Sequence, residues 1–324
     1  MNVLVFLEHH GGQLQPGPLG VLAKAVALGT DGVGAVLVGG PEVEELVPEA
    51  ARFGARTVHL AANPSLEGPL AQPRVDVLAG VVRAGGYDTV LFSNSVLAAD
   101  VAAGLAARLD AGLNWDLVDL EMRHGEPVGT RLALGDSVQV EVGWRSTPRL
   151  ALFRSGAFDP APVGEGSPSV HQAIVEPGNR RGEARLVERR LADDDGPDLQ
   201  GADVVVAGGM GLGSAEGFAL AEELAAALGG VVGATRAAVY AGWYPHSAQI
   251  GQTGKTVSPR LYIALGVSGA VQHKVGMQGS KVVVAVNKDP GAPIFEFSDL
   301  AVVGDVHTVV PKLVELLRQG ARPA

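Results

Sequence analysis

The sequence predicts an α/β protein of two domains, and three observations carry that expectation. Short β-like apolar runs alternate with segments of helical apolar spacing, first from Val3 to Leu109 and again from Asp203 to Arg318. Apolar residues make up 47% of the chain and aromatics only 5%, which suits tightly packed layers of small side chains better than an aromatic-rich sandwich. The third observation is charge. The chain holds 35 acidic and 25 basic side chains, yet residues 201–324 hold nine of each, so the whole acidic surplus lies before Gly201. A length of 324 residues lets each half bury a core of its own.

In the first half, Val3–Glu8, Gly34–Val38, Thr57–Ala61 and Thr89–Ser93 read as strands, and Leu19–Leu28, Glu42–Arg52, Leu70–Ala84 and Ala98–Leu109 as helices. Such alternation predicts a mostly parallel sheet flanked by helices. After Leu113 the pattern changes. Val118–Met122, Thr130–Leu134, Ser137–Val142 and Arg149–Phe153 are strand-like runs separated by turns, among them His124-Gly125-Glu126-Pro127 and Gly135-Asp136. These suggest antiparallel additions to the sheet.

A polar stretch from Gly164 to Asp198 carries the acid run Asp193-Asp194-Asp195-Gly196-Pro197. That composition marks a linker or a solvated edge and places the domain boundary near Asp198, giving domains 1–198 and 199–324. Beyond it, Asp203–Ala207 reads as a strand, followed by a glycine-rich turn and a helix from Ser214 to Leu228. Ser214 would cap that helix and Glu216 would complement its dipole. Leu261–Val267, Val282–Val286 and Leu300–Val303 read as buried strands, and Val306–Arg318 as the last helix, with Pro311 inside it.

Composition also excludes several functions. The chain has no cysteine, so disulfides, a thiol nucleophile and a Cys-ligated iron–sulfur cluster are ruled out. A net charge of −10 argues against nucleic acid and anionic membranes, both of which need a basic face. No stretch approaches the roughly 18 consecutive apolar residues of a bilayer span. The N-terminus has no basic start and does not read as a signal peptide. The expected compartment is cytoplasmic or of mitochondrial-matrix type, without stable membrane insertion.

The chemistry concentrates after Asp203. The segment Val206-Ala207-Gly208-Gly209-Met210-Gly211-Leu212-Gly213-Ser214 lies between a strand and a helix, where glycines let backbone approach a ligand and helix N–H groups can face a phosphate. It is not a clean G-x-G-x-x-G, and a tight turn would look the same. More specific are several blocks in order: Gly233-Ala234-Thr235-Arg236-Ala237-Ala238-Val239, Gln249-Ile250-Gly251-Gln252-Thr253-Gly254-Lys255, Ser268-Gly269-Ala270-Val271-Gln272-His273, Ala285-Val286-Asn287-Lys288-Asp289-Pro290, Ala292-Pro293-Ile294-Phe295 and Val303-Gly304-Asp305.

Together these blocks resemble the FAD-binding domain of electron transfer flavoprotein alpha subunits, over nearly all of Asp203 to Leu317. The first half resembles the family's N-terminal domain more loosely, through Val3–His9, Ala99–Leu109 and Arg154-Ser155-Gly156-Ala157-Phe158. The resemblance implies an N-terminal α/β nucleotide-hydrolase-like sheet with antiparallel additions that binds a partner, and a C-terminal Rossmann-like FAD-binding domain. It implies an electron carrier rather than a classical enzyme, one that accepts electrons from flavin dehydrogenases such as those of fatty-acid β-oxidation. The implied acceptor is a membrane quinone reductase. The implied partner is an electron transfer flavoprotein beta subunit in a heterodimer, which usually holds AMP or, in bifurcating members, a second FAD.

The resemblance also implies roles for residues. Arg236, always charged and planar, would lie over or beside the isoalloxazine ring and favour its reduced, anionic form. Thr235 keeps a hydroxyl where many relatives have Ser. Ile250, Gly251, Gln252 and Thr253 would form the flavin-contacting loop, with an amide and a hydroxyl suited to flavin and ribityl groups. Ser268, Gly269, Ala270 and Val271, at the start of a helix, would hold the pyrophosphate. Gln272 and His273 would sit one turn along, the His near the flavin O2, where its charge state matters. Asn287, Asp305 and Val306 would face the ADP portion from the carboxyl ends of strands.

The chain departs from the family at Met210, where relatives commonly have Arg, at Tyr240 in place of Asp, at His246-Ser247 in place of Asn-Asp, and at Lys274 in place of an apolar residue. Two other readings remain open from the residues. An NAD(P)-dependent Rossmann-like oxidoreductase would need a ribose reader about 20 residues after the glycine-rich turn, where only Gly229-Gly230-Val231-Val232-Gly233 stands. A non-redox adaptor subunit with a decayed cofactor site is conceivable because of Met210.

Overall fold

The structure is a computed structural model. It describes residues 1–29, 32–134, 137–164, 166–173, 184, 186–188, 199 and 201–320. The acid run at 193–197, the expected boundary at 198 and the turn at 135–136 lie outside the described residues. The chain divides into two compact units, Met1–Arg189 and Arg190–Ala324.

The first unit is built on a nine-stranded sheet. From one edge its strands are Ser169–Gln172, Thr57–Ala62, Val33–Gly39, Val3–Leu7, Thr89–Ser93, Arg149–Phe153, Leu113–Arg123, Glu126–Ala133 and Val138–Val142. All neighbours are parallel as far as Leu113–Arg123, and the last two strands are antiparallel additions. The central strands Val3–Leu7 and Val33–Gly39 are buried throughout, as unbroken apolar runs covered on both faces must be. Helices Pro16–Ala27, Ala71–Gly85 and Val96–Leu109 belong to this unit, and apolar clusters lie on the two faces of its sheet.

Two expectations for this unit are overturned by the structure. Arg149–Phe153 is not an antiparallel addition, because it inserts parallel between Thr89–Ser93 and Leu113–Arg123. Its run Leu150-Ala151-Leu152-Phe153 is wholly buried, the mark of an interior parallel strand rather than of an edge hairpin. Glu42–Arg52 is not one helix but a 3₁₀ segment, Pro41–Leu46, followed by a short α-helix, Val47–Arg52, with Pro48 unable to donate across the junction. Ser169–Gln172, inside the stretch read as a linker or a solvated edge, forms an exposed edge strand on Thr57–Ala62.

The second unit holds a six-stranded, all-parallel sheet ordered Gln249–Ile250, Val231–Thr235, Val204–Gly208, Leu261–Leu265, Val282–Asn287 and Leu300–Val303. In sequence order this is 3-2-1-4-5-6, the doubly wound Rossmann arrangement. Phe218–Leu228 and Val306–Arg318 pack on one face through Phe218, Leu224, Val310 and Val314. Tyr262, Met277 and Ile294 help fill the other face. Fully burying one such Leu or Val contributes about 1.5–3 kcal/mol. Phe218 also stacks on Tyr244, with ring centroids 4.6 Å apart.

The helix expected from Ser214 begins instead at Phe218. The Ser214 hydroxyl accepts a bond from the Gly217 N–H at 3.3 Å, so it closes a turn ahead of the helix rather than capping it. The glycine-rich segment itself contains a short 3₁₀ turn, Met210–Leu212. Val306–Arg318 runs as the spacing predicts, with Pro311 inside it at an exposed position. Among the described residues no helix is long and apolar enough to cross a membrane.

Candidate functional site

In an open parallel sheet, ligands bind beyond the carboxyl ends of the strands where the strand order reverses. Here that point lies between Val204–Gly208 and Leu261–Leu265, the first and fourth strands of the second unit. A cleft of about 540 Å³ opens there, lined by the loops that leave these strands and by the ends of Val231–Thr235 and Gln249–Ile250.

Backbone contact between loops shapes the cleft. A Cβ on Gly266 would fall 2.6 Å from the Gly211 Cα, so the glycine-rich turn and the loop after Leu265 touch main chain to main chain. The Gly211 N–H donates to the Gly266 carbonyl at 2.9 Å. A second approach of this kind ties the loop at 250–253 to the short helix Val271–Lys274. A Cβ on Gly276 would lie 2.3 Å from the Gly251 nitrogen, and the Gln252 N–H donates to the Gln272 carbonyl at 2.7 Å. Residues twenty apart in sequence thereby share one wall.

The structure brings together most of the residues singled out in the sequence. Thr235 and Arg236 line the cleft from the end of Val231–Thr235. Thr235 is buried and caps the next helix, its hydroxyl accepting from the Ala238 N–H at 3.4 Å. Arg236 is exposed, with its guanidinium carbon 4.9 Å from the centroid of the Tyr240 ring. That cation–π contact steadies the side chain without cancelling its charge. Ile250, Gly251, Gln252 and Thr253 form the adjoining wall, braced by the Gln249 amide, which donates to the Thr253 carbonyl at 3.0 Å. Ser268, Ala270, Gln272 and His273 complete it.

Five residues stand outside the lining. Gly269 is buried, and a Cβ there would fall 2.2 Å from the Ile294 nitrogen. Val271 is exposed. The Asn287 amide donates to the Val267 carbonyl at 2.9 Å, and its oxygen accepts from the Asp289 N–H at 3.0 Å. It thus anchors the loop that presents Ser268. Asp305 caps the last helix by accepting from the His307 N–H at 2.8 Å, and Val306 is buried in the core beneath that helix.

Reading the sequence alone overlooked Gly266, Val267, Ala237 and Tyr240 as lining residues. Gly266 and Val267 follow a strand end, Ala237 lies in the block around Arg236, and Tyr240 is one of the departures from the resembled family. Met210 lines the cleft and is half exposed. Lys274, another departure, places its Nζ 3.8 Å from the centroid of the Phe297 ring.

His273 is the strongly perturbed group of the cleft. Burial pushes its pKa down to about 4, partly opposed by the hydrogen bond to the Ile250 carbonyl. The unfolded chain, with an ordinary histidine near 6.5, takes up the proton first as pH falls. This contribution to stability is therefore complete above pH 6.5 and is lost progressively between 6.5 and about 4. It amounts to about 3 kcal/mol. Thermal unfolding at pH 7 and pH 4.5 should show a larger loss for the wild type than for His273→Gln, which has no proton to take up. An equal loss in both would contradict it.

The residues present fit FAD. The cleft has the volume of a small-molecule site, its loops meet main chain to main chain at glycines, and Arg236 brings a cation to its lining that an anionic cofactor could use.

Comparison with known proteins agrees with the geometry. Residues 198–278 match the electron transfer flavoprotein FAD-binding domain, and residues 3–177 match the electron transfer flavoprotein domain. The chain is 41% identical over 316 residues to the electron transfer flavoprotein subunit alpha of Mycobacterium leprae, covering 97% of both chains. It is 36% identical to that of Bacillus subtilis, with 98% of each chain covered. It is also 36% identical to a probable mitochondrial alpha subunit of Cryptococcus neoformans var. grubii, covering 96% of this chain and 90% of the relative. A match along nearly the whole length, together with a Rossmann-ordered sheet whose cleft lies at its switch point, identifies the chain as a member of the electron transfer flavoprotein alpha-subunit family, with FAD as its cofactor.

Proposed function

We propose that this chain is the FAD-carrying half of a heterodimeric electron carrier. It takes electrons from flavin dehydrogenases, acyl-CoA dehydrogenases of fatty-acid β-oxidation among them, and passes them to a quinone reductase. The observation that supports this best is the convergence of Arg236, the 250–253 loop, Ser268 and His273 on one cleft at the switch point of the sheet. Bound FAD supplies the redox centre that gains and gives up electrons. The chain's own residues bind, orient and shield it. Arg236 favours negative charge on the ring, Gln252 and Thr253 offer an amide and a hydroxyl to its polar edge, and Ser268 with neighbouring main chain receives the phosphates.

No nucleophile–base pair is needed for such a relay. Residues 1–198 serve as the partner-binding domain for an electron transfer flavoprotein beta subunit, and 199–324 as the FAD domain. Relatives named from bacteria and from mitochondria are consistent with either a cytoplasmic or a matrix-type compartment. Met210, placed in the cleft without charge, suggests phosphate contacts adjusted from those of relatives with Arg there.

The test is co-expression with a candidate beta chain, followed by sizing chromatography and absorbance. One alpha, one beta and about one FAD per alpha chain is the expected result. A flavin-free complex would favour an adaptor subunit, and nicotinamide-dependent turnover would favour a dehydrogenase. A FAD-loaded monomer exchanging electrons at full rate without a partner would refute the heterodimer.

A further inference from the structure

Behind the cleft wall lies a buried pair that cofactor binding alone does not account for. Tyr262 is fully buried in the strand Leu261–Leu265 and is not among the cleft residues. Its phenol oxygen lies 2.8 Å from the His273 Nε2. On the opposite side of the ring, the His273 Nδ1 lies 3.2 Å from the Ile250 carbonyl oxygen. A backbone carbonyl can only accept, so this second contact requires the proton on Nδ1. In a neutral ring Nε2 is then a bare acceptor, and the phenol is the donor that meets it. His273 lines the cleft, yet neither nitrogen retains an N–H to aim into it.

We propose that Tyr262 is a positioning residue, which by donating to Nε2 holds His273 as an uncharged ring protonated on Nδ1, so that His273 meets FAD without a proton to give. The inference rests on the FAD reading of the cleft and deepens it. The surroundings reinforce the arrangement. A charged ring would have to donate from Nε2, and the phenol would have to turn and accept. Its hydrogen would then point into a cluster that includes Val257, Met277 and Ile294, where an unmet polar hydrogen is costly. Lys274, the next residue, lies over Phe297, and Arg236 lines the cleft over Tyr240. Positive charge at the cofactor ring then comes from Arg236 and not from His273.

The experiment is nitrogen NMR of the FAD-loaded heterodimer carrying 15N-labelled histidine, with the His273 signals assigned by their loss in His273→Gln. At pH 7 the expected spectrum has a protonated Nδ1 and a bare, hydrogen-bonded Nε2. In Tyr262→Phe the Nδ1 stays protonated, while Nε2 shifts toward the position of a bare nitrogen with no donor. A role confined to packing would leave that resonance in place. A proton on the wild-type Nε2, with or without one on Nδ1, would overturn the proposal, as would an unmoved Nε2 in Tyr262→Phe. The wild-type spectrum decides even if the variant fails to fold. Flavin absorbance of the same sample separates the two layers of the argument. Absence of FAD counts against the cofactor reading, whereas an Nε2-protonated ring with FAD bound counts against Tyr262 alone.

Discussion

Gly266→Ala is expected to destabilise the FAD domain by roughly 2–5 kcal/mol and to strip most of its cofactor. Gly266 has φ +61, and its added Cβ would stand 2.6 Å from the Gly211 Cα and 2.8 Å from the Gly211 carbonyl carbon. The left-handed conformation costs a non-glycine residue about 1–2 kcal/mol, and overpacking about 1–3 kcal/mol more. Main chain cannot step aside as the end of a flexible side chain can, so the two loops must part, and the cleft between them with it. The loss is large against a domain stability of about 5–15 kcal/mol. Denaturant titration followed by the release of flavin fluorescence measures it. An unchanged midpoint with full FAD content would show that the loops do not meet as described.

Arg236→Ala is expected to lower the flavin's first reduction potential by roughly 40–130 mV, from losing roughly 1–3 kcal/mol of charge-assisted interaction at about 59 mV per tenfold. Arg236 is exposed and held over Tyr240, so in the free protein water screens its charge. Covering by a cofactor removes that screening. The negative, reduced form gains most from the cation, which fixes the sign of the change. Potentiometric titration of FAD-loaded wild type and variant is the measurement. An unchanged potential with FAD fully bound would remove Arg236 from the neighbourhood of the ring. His273, held neutral, offers no compensating charge.

Much of this was legible along the chain because the relevant signals are local. Strand Leu300–Val303 and helix Val306–Arg318 keep the bounds their spacing implies, since each carries its own apolar period and Asp305 marks the helix start. The ordered blocks around Thr235-Arg236, Gln252-Thr253 and Gln272-His273 contain most of the cleft wall. Where the reading slipped, the deciding partner was distant in sequence. Arg149–Phe153 looks like one more hairpin strand until its neighbours Thr89–Ser93 and Leu113–Arg123 are seen on either side. Ser169–Gln172 has no apolar face of its own and becomes a strand only because Thr57–Ala62 offers it an open edge.

By itself the sequence determined the α/β class, the neutrality of the second half against the acidic first, the absence of thiol chemistry and the family to which the cofactor belongs. All of these are properties of composition or of short contiguous blocks. Only the tertiary structure decided which atoms of those blocks are free to act. Asn287 and Asp305 spend their side chains on a loop anchor and a helix cap. Gly266 and Gly276 emerge as contact points because another loop's main chain presses on them. The protonation of His273 depends on Tyr262 and on the Ile250 carbonyl, which stand 11 and 23 residues away in sequence. A hydrogen bond's direction and a buried ring's charge depend on what surrounds them in space, and no local pattern of residue types records that.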